Sequence, residues 1–201
     1  MARYRGPRIR IVRRLGELPG LTTKTTNRTS NPGQHGAAQK KPSQYGIRLL
    51  EKQKIRYHYG VKESQLISYV KKAKRLRGST GEVLLQMLEM RLDNTVFRLG
   101  MAPTVNAARQ LVGHGHILVN GKKLDIPSYL CKPKDTISIR AKKESQDLVK
   151  RFVEINTTII PPHLSLNTQN LVAVVNNIVS RDWVGLKLNE LLVVEFYSRK
   201  L

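Results

Sequence analysis

Apolar positions between residues 85 and 140 change from a helical period to a strand period and predict a small mixed domain. Apolar side chains first recur at steps of three and four, the period of one amphipathic helix: Leu85, Leu88, Leu92, Val96 and Leu99. A second short helix is expected with Pro103 and Thr104 at its start and Gly113 just past its end. Two amphipathic helices are therefore expected before the strands begin.

A β-hairpin is predicted after the second helix. The apolar run Ile117–Val119 leads into Asn120-Gly121, the strongest short hairpin signal, and the chain returns through residues 122–124. One more alternating strand is expected to end at Arg140. Polar side chains of the helices and hairpin are expected to form one rim suited to a structured polyanion: Arg91, Asn94, Arg98, Arg109, Gln110, His114, His116, Lys122 and Lys123.

Helical and strand patterns also flank this segment. A helix is predicted from Tyr45, and a following helix is expected to end in the basic residues 71–78. Beyond Arg140, a mixed-charge helix is predicted, then an edge strand at residues 163–167 and another strand at residues 171–175. The last segment, residues 189–197, fits either a strand or a helix by periodicity alone.

The charge of the chain indicates a polyanionic partner. Lysine and arginine total 36 against 14 acidic residues, a net charge of +22, and residues 1–60 alone hold 14 basic and 2 acidic side chains. Nucleic acid is the default partner for such a surplus, since phosphate contacts release condensed counterions. An anionic membrane surface is the alternative, but the sequence has no apolar run long enough to span a membrane and no lipidation motif.

The cysteine content and two N-terminal segments indicate the cellular compartment and which residues are ordered only with a partner. The single cysteine, Cys131, excludes an internal disulfide framework and suits a reducing compartment. The first residues lack the apolar region of a secretory signal, and Gly6 and Pro7 argue against a transit peptide, so they are taken as mature sequence. Residues 20–44 have neither a helical nor a strand period in their apolar positions and are expected to become ordered against RNA. A flexible linker is the alternative.

Four segments resemble one family of ribosomal proteins. Residues 113–139, GHGHILVNGKKLDIPSYLCKPKDTISI, follow the pattern of the small RNA-binding domain named after the fourth protein of the small ribosomal subunit. Residues 45–61 (YGIRLLEKQKIRYHYGV), 78–94 (GSTGEVLLQMLEMRLDN) and 186–199 (LKLNELLVVEFYSR) resemble the rest of that protein in the same order. The chain is therefore similar to the family of ribosomal protein four of the small subunit, bacterial and organellar type. Its opening residues resemble the plastid form most.

The resemblance implies an α+β fold in three parts. Residues 1–42 are expected to form an extended basic arm, and residues 43–86 with 179–201 a helical domain. Residues 87–178 are expected to form an inserted RNA-binding domain of two helices packed on a small antiparallel sheet, with its core module at residues 87–150. The family also has a C-terminal helix that returns to the helical domain, so a helix is expected at residues 189–197.

The resemblance also implies a structural role in the small ribosomal subunit. Such a protein binds small-subunit ribosomal RNA early, nucleates assembly of the subunit body and contributes to translational accuracy beside ribosomal proteins five and twelve. No cofactor, metal, membrane or small-molecule substrate is expected, and the chain is not expected to be an enzyme. The implied location is the ribosome of the plastid (chloroplast) stroma, or otherwise of the bacterial cytoplasm.

Candidate RNA-binding residues are cations with polar and aromatic side chains between them, because arginine and lysine neutralise phosphates and tyrosine stacks on bases. In the arm they are Arg3, Arg5, Arg8, Arg10, Arg13 and Arg14. In the helical domain they are Tyr57, a ridge at four-residue spacing (Arg48, Lys52 and Arg56) and a cluster of Lys71, Lys72, Lys74, Arg75 and Arg77. In the inserted domain they are Arg91, Arg98, Arg109, Gln110, His114, His116, Lys122 and Lys123. A solvated helix face is the alternative for any one of them.

Two other functions stay open, a free-standing RNA-binding regulator and an RNA-modifying enzyme of the pseudouridine synthase type. The Arg-Leu-Asp triplet at residues 91–93 matches the catalytic triplet of those enzymes, but it lies inside the RNA-binding module rather than in a separate catalytic domain. Asp93 is therefore interpreted as a helix-surface partner of a neighbouring arginine. His114, His116 and Cys131 lack the paired spacing of a four-ligand zinc site, so no metal is predicted.

Overall fold

The chain divides into two compact units in the computed structural model, which describes residues 4–28, 30–38, 41–155 and 159–198. The first unit comprises residues 1–84 and 185–201, and the second comprises residues 85–184. The three-part division with boundaries at residues 43, 87 and 179 stays a prediction beside this one. Helices and a small antiparallel sheet both occur, so the predicted α+β class is confirmed.

The first unit is helical. Its elements are α1 (Arg8–Leu15), α2 (Gln44–His58), α3 (Glu63–Arg75), the start of α4 (Thr80–Glu89) and α8 (Glu190–Ser198). Arg48 Nε donates to Glu195 Oε2 at 2.7 Å, while Glu51 Oε2, one turn later on α2, accepts from the Asn189 amide at 3.0 Å. α2 and α8 therefore run antiparallel. The C-terminal segment with ambiguous periodicity is a helix, as the resemblance implied.

The N-terminal segment differs from the predicted extended arm at α1. Ile11 and Leu15 are four residues apart on one face of this helix and are each only 7% exposed. They line a cavity with Leu49 and Leu50 of α2. The high density of arginine led us to predict an extended chain, but the apolar positions among those arginines have helical spacing and a neighbouring helix covers them. None of the helices in the described ranges is long and apolar enough to cross a membrane.

The second unit packs helices on a five-stranded antiparallel sheet. Its strands are β1 (Ile117–Val119), β2 (Lys122–Lys123), β3 (Thr136–Ile139), β4 (Leu164–Asn167) and β5 (Val172–Val175), in the order β2-β1-β3-β5-β4. Its helices are the end of α4, α5 (Leu92–Arg98), α6 (Val105–Gly113) and α7 (Lys143–Ile155). Side chains from both layers are fully buried in the core: Leu92, Val96, Val112, Ile117, Ile137, Val149 and Ala173. The predicted edge strand is confirmed as β4.

The predicted hairpin is also confirmed. Asn120 and Gly121 have φ angles of 51° and 76°, so both occupy the left-handed region that a two-residue hairpin turn of this type requires. Asn120 additionally fastens the hairpin to β3, because its Oδ1 accepts from the Thr136 amide at 2.9 Å and its Nδ2 donates to Asp135 Oδ1 at 2.8 Å. The turn therefore fixes where β1, β2 and β3 meet.

The single helix predicted across residues 85–99 is instead two helices. α4 ends at Glu89 and α5 begins at Leu92, with Arg91 between them in an extended conformation (φ −71°, ψ 141°). Arg91 pairs with Leu130 as an isolated antiparallel bridge, and the Leu92 amide donates to the Tyr129 carbonyl at 2.8 Å. The apolar spacing remained compatible with one helix, but the backbone at the break bonds to a distant segment instead.

Candidate nucleic-acid interface

Exposed cations at the end of α3 form a dense positive surface in the first unit. Tyr69, Val70 and Ala73 occupy the buried face of α3, so the remaining positions of its last turns face solvent. Five exposed cations follow there, and we call them the α3 basic cluster: Lys71, Lys72, Lys74, Arg75 and Arg77. None of them forms an ion pair with an acidic side chain in the described ranges. The cluster is therefore accessible to phosphate.

The arginines around α1 have two different roles. Arg8 Nη1 donates to the Leu21 carbonyl at 3.3 Å, and Arg13 Nε donates to the Ser30 carbonyl at 2.9 Å. Arg13 Nη2 also donates to the Asn31 carbonyl at 3.3 Å. These two side chains therefore hold the segment that follows α1. Three other predicted arm contacts are exposed: Arg5, Arg10 and Arg14. Arg3 lies outside the described residues.

The basic ridge predicted on α2 does not form as an exposed surface. Lys52 is 5% exposed, its Nζ lies 2.9 Å from Glu63 Oε2, and it sits 5.1 Å from the ring centroid of Phe196. Arg48 is half-buried and its Nε lies 2.7 Å from Glu195 Oε2. Four-residue spacing put these cations on one helix face correctly, but the sequence did not reveal that α8 covers that face.

Glu63 is the counter-charge that makes burial of Lys52 possible. Burial alone would raise the pKa of Glu63, but hydrogen bonds from Lys52 and from Tyr197, whose Oη lies 2.7 Å from Glu63 Oε1, bring it below its ordinary value. Burial, followed by the bond to Glu63, raises the pKa of Tyr197. The three side chains join α2, α3 and α8, so Lys52 is committed to the packing of this unit.

Tyr57 and Arg56 remain partly accessible at the end of α2. Both are half-buried, and the Arg56 guanidinium lies 5.3 Å from the ring centroid of Tyr57. Tyr4 meets Tyr57 edge to face with 5.6 Å between ring centroids. Gln53 Oε1 accepts from Arg56 Nη1 at 3.3 Å. Of the predicted RNA contacts on α2, Tyr57 and Arg56 are therefore the two whose ring and guanidinium remain most accessible to RNA.

Two arginines of the predicted rim are buried inside the second unit. Arg91 is 3% exposed and Arg109 is 8% exposed, and both bind Asp93, which is 1% exposed. Arg91 Nε and Nη2 lie 3.0 Å and 2.8 Å from the two carboxylate oxygens, and Arg109 Nε lies 3.0 Å from Oδ2. Asp93 is thus an arginine partner, as expected, but in the interior rather than at a helix surface. The exposed rim predicted from these arginines is wrong.

A second buried carboxylate binds the remaining arginine of that set. Glu89 is 1% exposed, and its Oε1 lies 3.0 Å from Arg98 Nη2. Its Oε2 accepts from Asn94 Nδ2 at 2.6 Å. Arg98 is only half-buried, so part of it still reaches solvent, whereas Asn94 is 1% exposed. Arg98 therefore contributes at most part of its guanidinium to a surface.

The second unit carries its exposed positive surface around the turn after α6. His116 is half-buried, and its Nδ1 lies 2.9 Å from Ser145 Oγ of α7, while His114 is exposed. Burial lowers the pKa of His116 first, and the nearby charges of His114, Arg140 and Lys142 lower it further. Both Arg140 and Lys142 are exposed. Several cationic or imidazole groups therefore share one surface.

Lys123 completes this surface. A Cβ added at Gly115 would collide with Lys123 Cε, so the lysine stem crosses directly over Gly115. We call these residues the hairpin patch: His114, His116, Lys123, Arg140 and Lys142. Lys122 and Gln110, also predicted contacts, are exposed on β2 and α6.

Sequence reasoning missed Arg140 and Lys142. They are close to the turn because Ile117 pairs with Ile139, so that the Arg140 amide donates to the His116 carbonyl at 2.8 Å. The hairpin was recognisable from Asn120-Gly121, but the register between β1 and β3 was not. That register would have placed residue 140 beside residue 116.

The candidate metal ligands of the described ranges do not form a metal centre. No group of three or more His, Cys, Asp or Glu side chains there could hold a metal ion. The ring centroids of His114 and His116 are 6.1 Å apart. Cys131 is buried, which raises the pKa of its thiol to about 11, so the reactive thiolate is disfavoured.

Comparison with known proteins gives full-length relatives. The family model described as "Ribosomal protein S4/S9 N-terminal domain" matches residues 3–89, and "S4 domain" matches residues 90–137. "Small ribosomal subunit protein uS4c" of Oltmannsiellopsis viridis is 66% identical over 99% of this chain and 100% of its own length. The uS4 protein of Microcystis aeruginosa and the uS4c protein of Rhodomonas salina are each 62% identical over the whole of both chains.

Proposed function

The chain belongs to the family of small ribosomal subunit protein uS4, and we propose that it binds small-subunit ribosomal RNA as a structural component of that subunit. The prediction that it is not an enzyme is confirmed by this membership. The single observation that carries the proposal is the match of both family models and of full-length relatives to a chain of net charge +22.

The proposed contacts come mainly from two exposed surfaces. The α3 basic cluster supplies five cations in the first unit, and the hairpin patch supplies lysine, arginine and imidazole groups in the second. Such groups neutralise phosphates and hold RNA helices at fixed positions, and this favours the shape of the RNA over its sequence, because the A-form major groove is too narrow for side chains. Arg91, Arg109 and Lys52 support these surfaces from inside the fold rather than by contact.

The finer role is also part of the proposal. By family resemblance, binding occurs early, nucleates assembly of the subunit body and contributes to translational accuracy, with ribosomal proteins five and twelve as neighbours. The proposed location is the ribosome of the chloroplast stroma. Relatives named uS4c support this location. A relative named uS4 at similar identity leaves the bacterial cytoplasm as the alternative.

The test compares two charge-neutralised variants of the full chain. Lys71→Gln with Lys72→Gln removes two cations of the α3 basic cluster, and Lys150→Gln with Arg151→Gln removes two exposed cations of α7 as a matched control. The affinity for transcribed small-subunit ribosomal RNA is measured over a range of salt. Each phosphate contact contributes about −0.7 to −0.9 to the slope of log affinity against log salt.

We expect the α3 variant to lose affinity and to flatten the salt slope by about one to two units, while the α7 control keeps the parent slope. A wild-type affinity that barely responds to salt contradicts phosphate binding altogether. Equal losses in both variants mean that only total charge matters. A protein that binds RNA but does not sediment with the small subunit is instead the free-standing regulator.

A further inference from the structure

A cavity between α1 and α2 has room for about one ring system. Its volume is about 270 Å³, just below the range of about 300–1,000 Å³ that is usual for sites of drug-sized ligands. Its apolar walls are formed by Ile11, Leu15, Leu49 and Leu50. These side chains cannot hydrogen-bond to water, so a planar ring could replace water beside them and break no hydrogen bond to the walls. The whole cavity lies within the first unit.

The remaining lining of the cavity is aromatic, amide and cationic. Tyr4 and Tyr57 meet edge to face on one side, and Gln53 lies one turn before Tyr57 on α2. Gln53 Oε1 accepts the hydrogen bond from Arg56, so the NH2 group of the same side chain can donate to the edge of a base. Arg10 and Arg14, at the mouth, are exposed and form no ion pair with a carboxylate in the described ranges.

A second hollow adjoins the cavity through Arg14. It is lined by Arg14 and by residues 31–36, including His35. The loop that forms it is held in place by Arg13, which donates to the carbonyls of Ser30 and Asn31. Gly36 packs so closely on the Asn31 carbonyl that a Cβ there would collide with it. Arg14 and Pro32 line both hollows. The two hollows are therefore adjacent, so an anionic group in the second and a ring in the first could belong to one ligand.

We propose that these two hollows form a site for one unpaired RNA nucleotide, with the base in the α1–α2 cavity against Tyr57 and its phosphate beside Arg14. The inference rests on the proposed function and deepens it, because it assigns one element of the RNA to one place on the protein. Single-stranded RNA is recognised by stacking on aromatic side chains and by contacts to base edges, and both kinds of group line the cavity. Paired RNA could supply phosphate to Arg14 but no free base.

The experiment measures the affinity of the full chain for two RNA probes by fluorescence anisotropy. One probe is a random-sequence single strand, and the other is a fully paired duplex of the same length. Tyr57→Leu keeps apolar bulk but removes the stacking ring, while Tyr45→Leu makes the same change on α2 outside the cavity, where Tyr45 is 56% exposed. Arg14→Gln tests the phosphate end at an exposed position, so it stays informative if Tyr57→Leu lowers the melting temperature.

We expect Tyr57→Leu to weaken single-strand binding about tenfold, the effect of losing one stacked base, and to leave duplex binding nearly unchanged. Arg14→Gln should weaken single-strand binding and reduce its salt slope by about 0.7, and Tyr45→Leu should change neither affinity. Unchanged single-strand binding in both cavity variants, or equal losses for the two probes, overturns the site. If wild type also fails to bind small-subunit ribosomal RNA, the proposed function itself is wrong; if it binds that RNA normally, only the nucleotide site is wrong.

Discussion

Replacing Asp93 should destabilise the second unit more than replacing either arginine that it binds. Asp93, Arg91 and Arg109 are 1%, 3% and 8% exposed, so neither water nor salt can screen the charges effectively. One carboxylate accepts hydrogen bonds from two guanidinium groups. Asp93→Ala therefore removes the carboxylate that both buried guanidinium groups bind.

The burial of the three side chains sets the expected order of effects. Breaking a buried ion pair by removing one partner costs about 3–5 kcal/mol of unfolding free energy, and Asp93→Ala belongs in that range. Arg91→Ala leaves the pair between Asp93 and Arg109 and removes charge-assisted hydrogen bonds, at a cost of about 1.5–3 kcal/mol. Gln110→Ala, an exposed change on α6 next to Arg109, should stay within about 0.5 kcal/mol.

Urea unfolding followed by tryptophan fluorescence measures these costs, because the one tryptophan of the chain, Trp183, belongs to the second unit. RNA affinity is measured on the same samples, so that loss of folded protein is not mistaken for loss of a contact. If the Asp93→Ala variant has the same free energy of unfolding as the Gln110→Ala variant, the reasoning is refuted. It is also refuted by an Arg91→Ala variant that loses RNA affinity while its unfolding curve is unchanged, since that is the behaviour of an exposed contact.

Three further predictions concern a thiol, a pH dependence and the N-terminal segment. Cys131, with its pKa raised to about 11 by burial, should resist iodoacetamide at pH 8 in native protein and react rapidly once urea unfolds the chain. Glu63→Gln should lower the melting temperature at neutral pH and have little effect in acid: the folded pKa of Glu63 is lowered, so its stabilisation is present above the unfolded pKa and lost as pH falls through the folded pKa. Deleting residues 1–42 exposes the α2 surface that Ile11 and Leu15 cover, so the first unit should melt at a lower temperature. An unchanged melting temperature would instead support an arm that does not pack on α2.

Local signals in the sequence predicted the hairpin and the strand positions well, because their causes lie within a few residues. Asn120-Gly121 adopts the positive φ angles that the turn needs, alternation identified β4, and a short apolar run identified β5. The break between α4 and α5 could not be read in this way. It depends on backbone bonds from residues 91–92 to residues 129–130, and the apolar spacing passes through the break unchanged.

Side-chain exposure was the part of the site least accessible to sequence reasoning. Helical spacing located Arg91, Arg109 and Lys52 on polar faces, and a polar face usually meets solvent. Here each of those side chains meets a carboxylate instead, Asp93 for the two arginines and Glu63 for the lysine. Asp93, two residues after Arg91, was recognisable as an arginine partner. Residue type and spacing do not show that Arg109 joins the same carboxylate or that the group is buried, because tertiary packing decides both.

Burial of these cations changes what the net charge of +22 says about RNA binding. A guanidinium that is nine-tenths buried against a carboxylate adds to the formal charge but cannot displace a counterion from RNA, because displacement needs direct approach to a phosphate. The salt slope should therefore follow the exposed and unpaired cations, such as the α3 basic cluster, rather than the total. It also follows that a cation-to-glutamine change can weaken RNA binding in two ways, by removing a phosphate contact or by loosening the unit that presents other contacts. Only the first of these changes the salt slope while leaving the unfolding curve as it was.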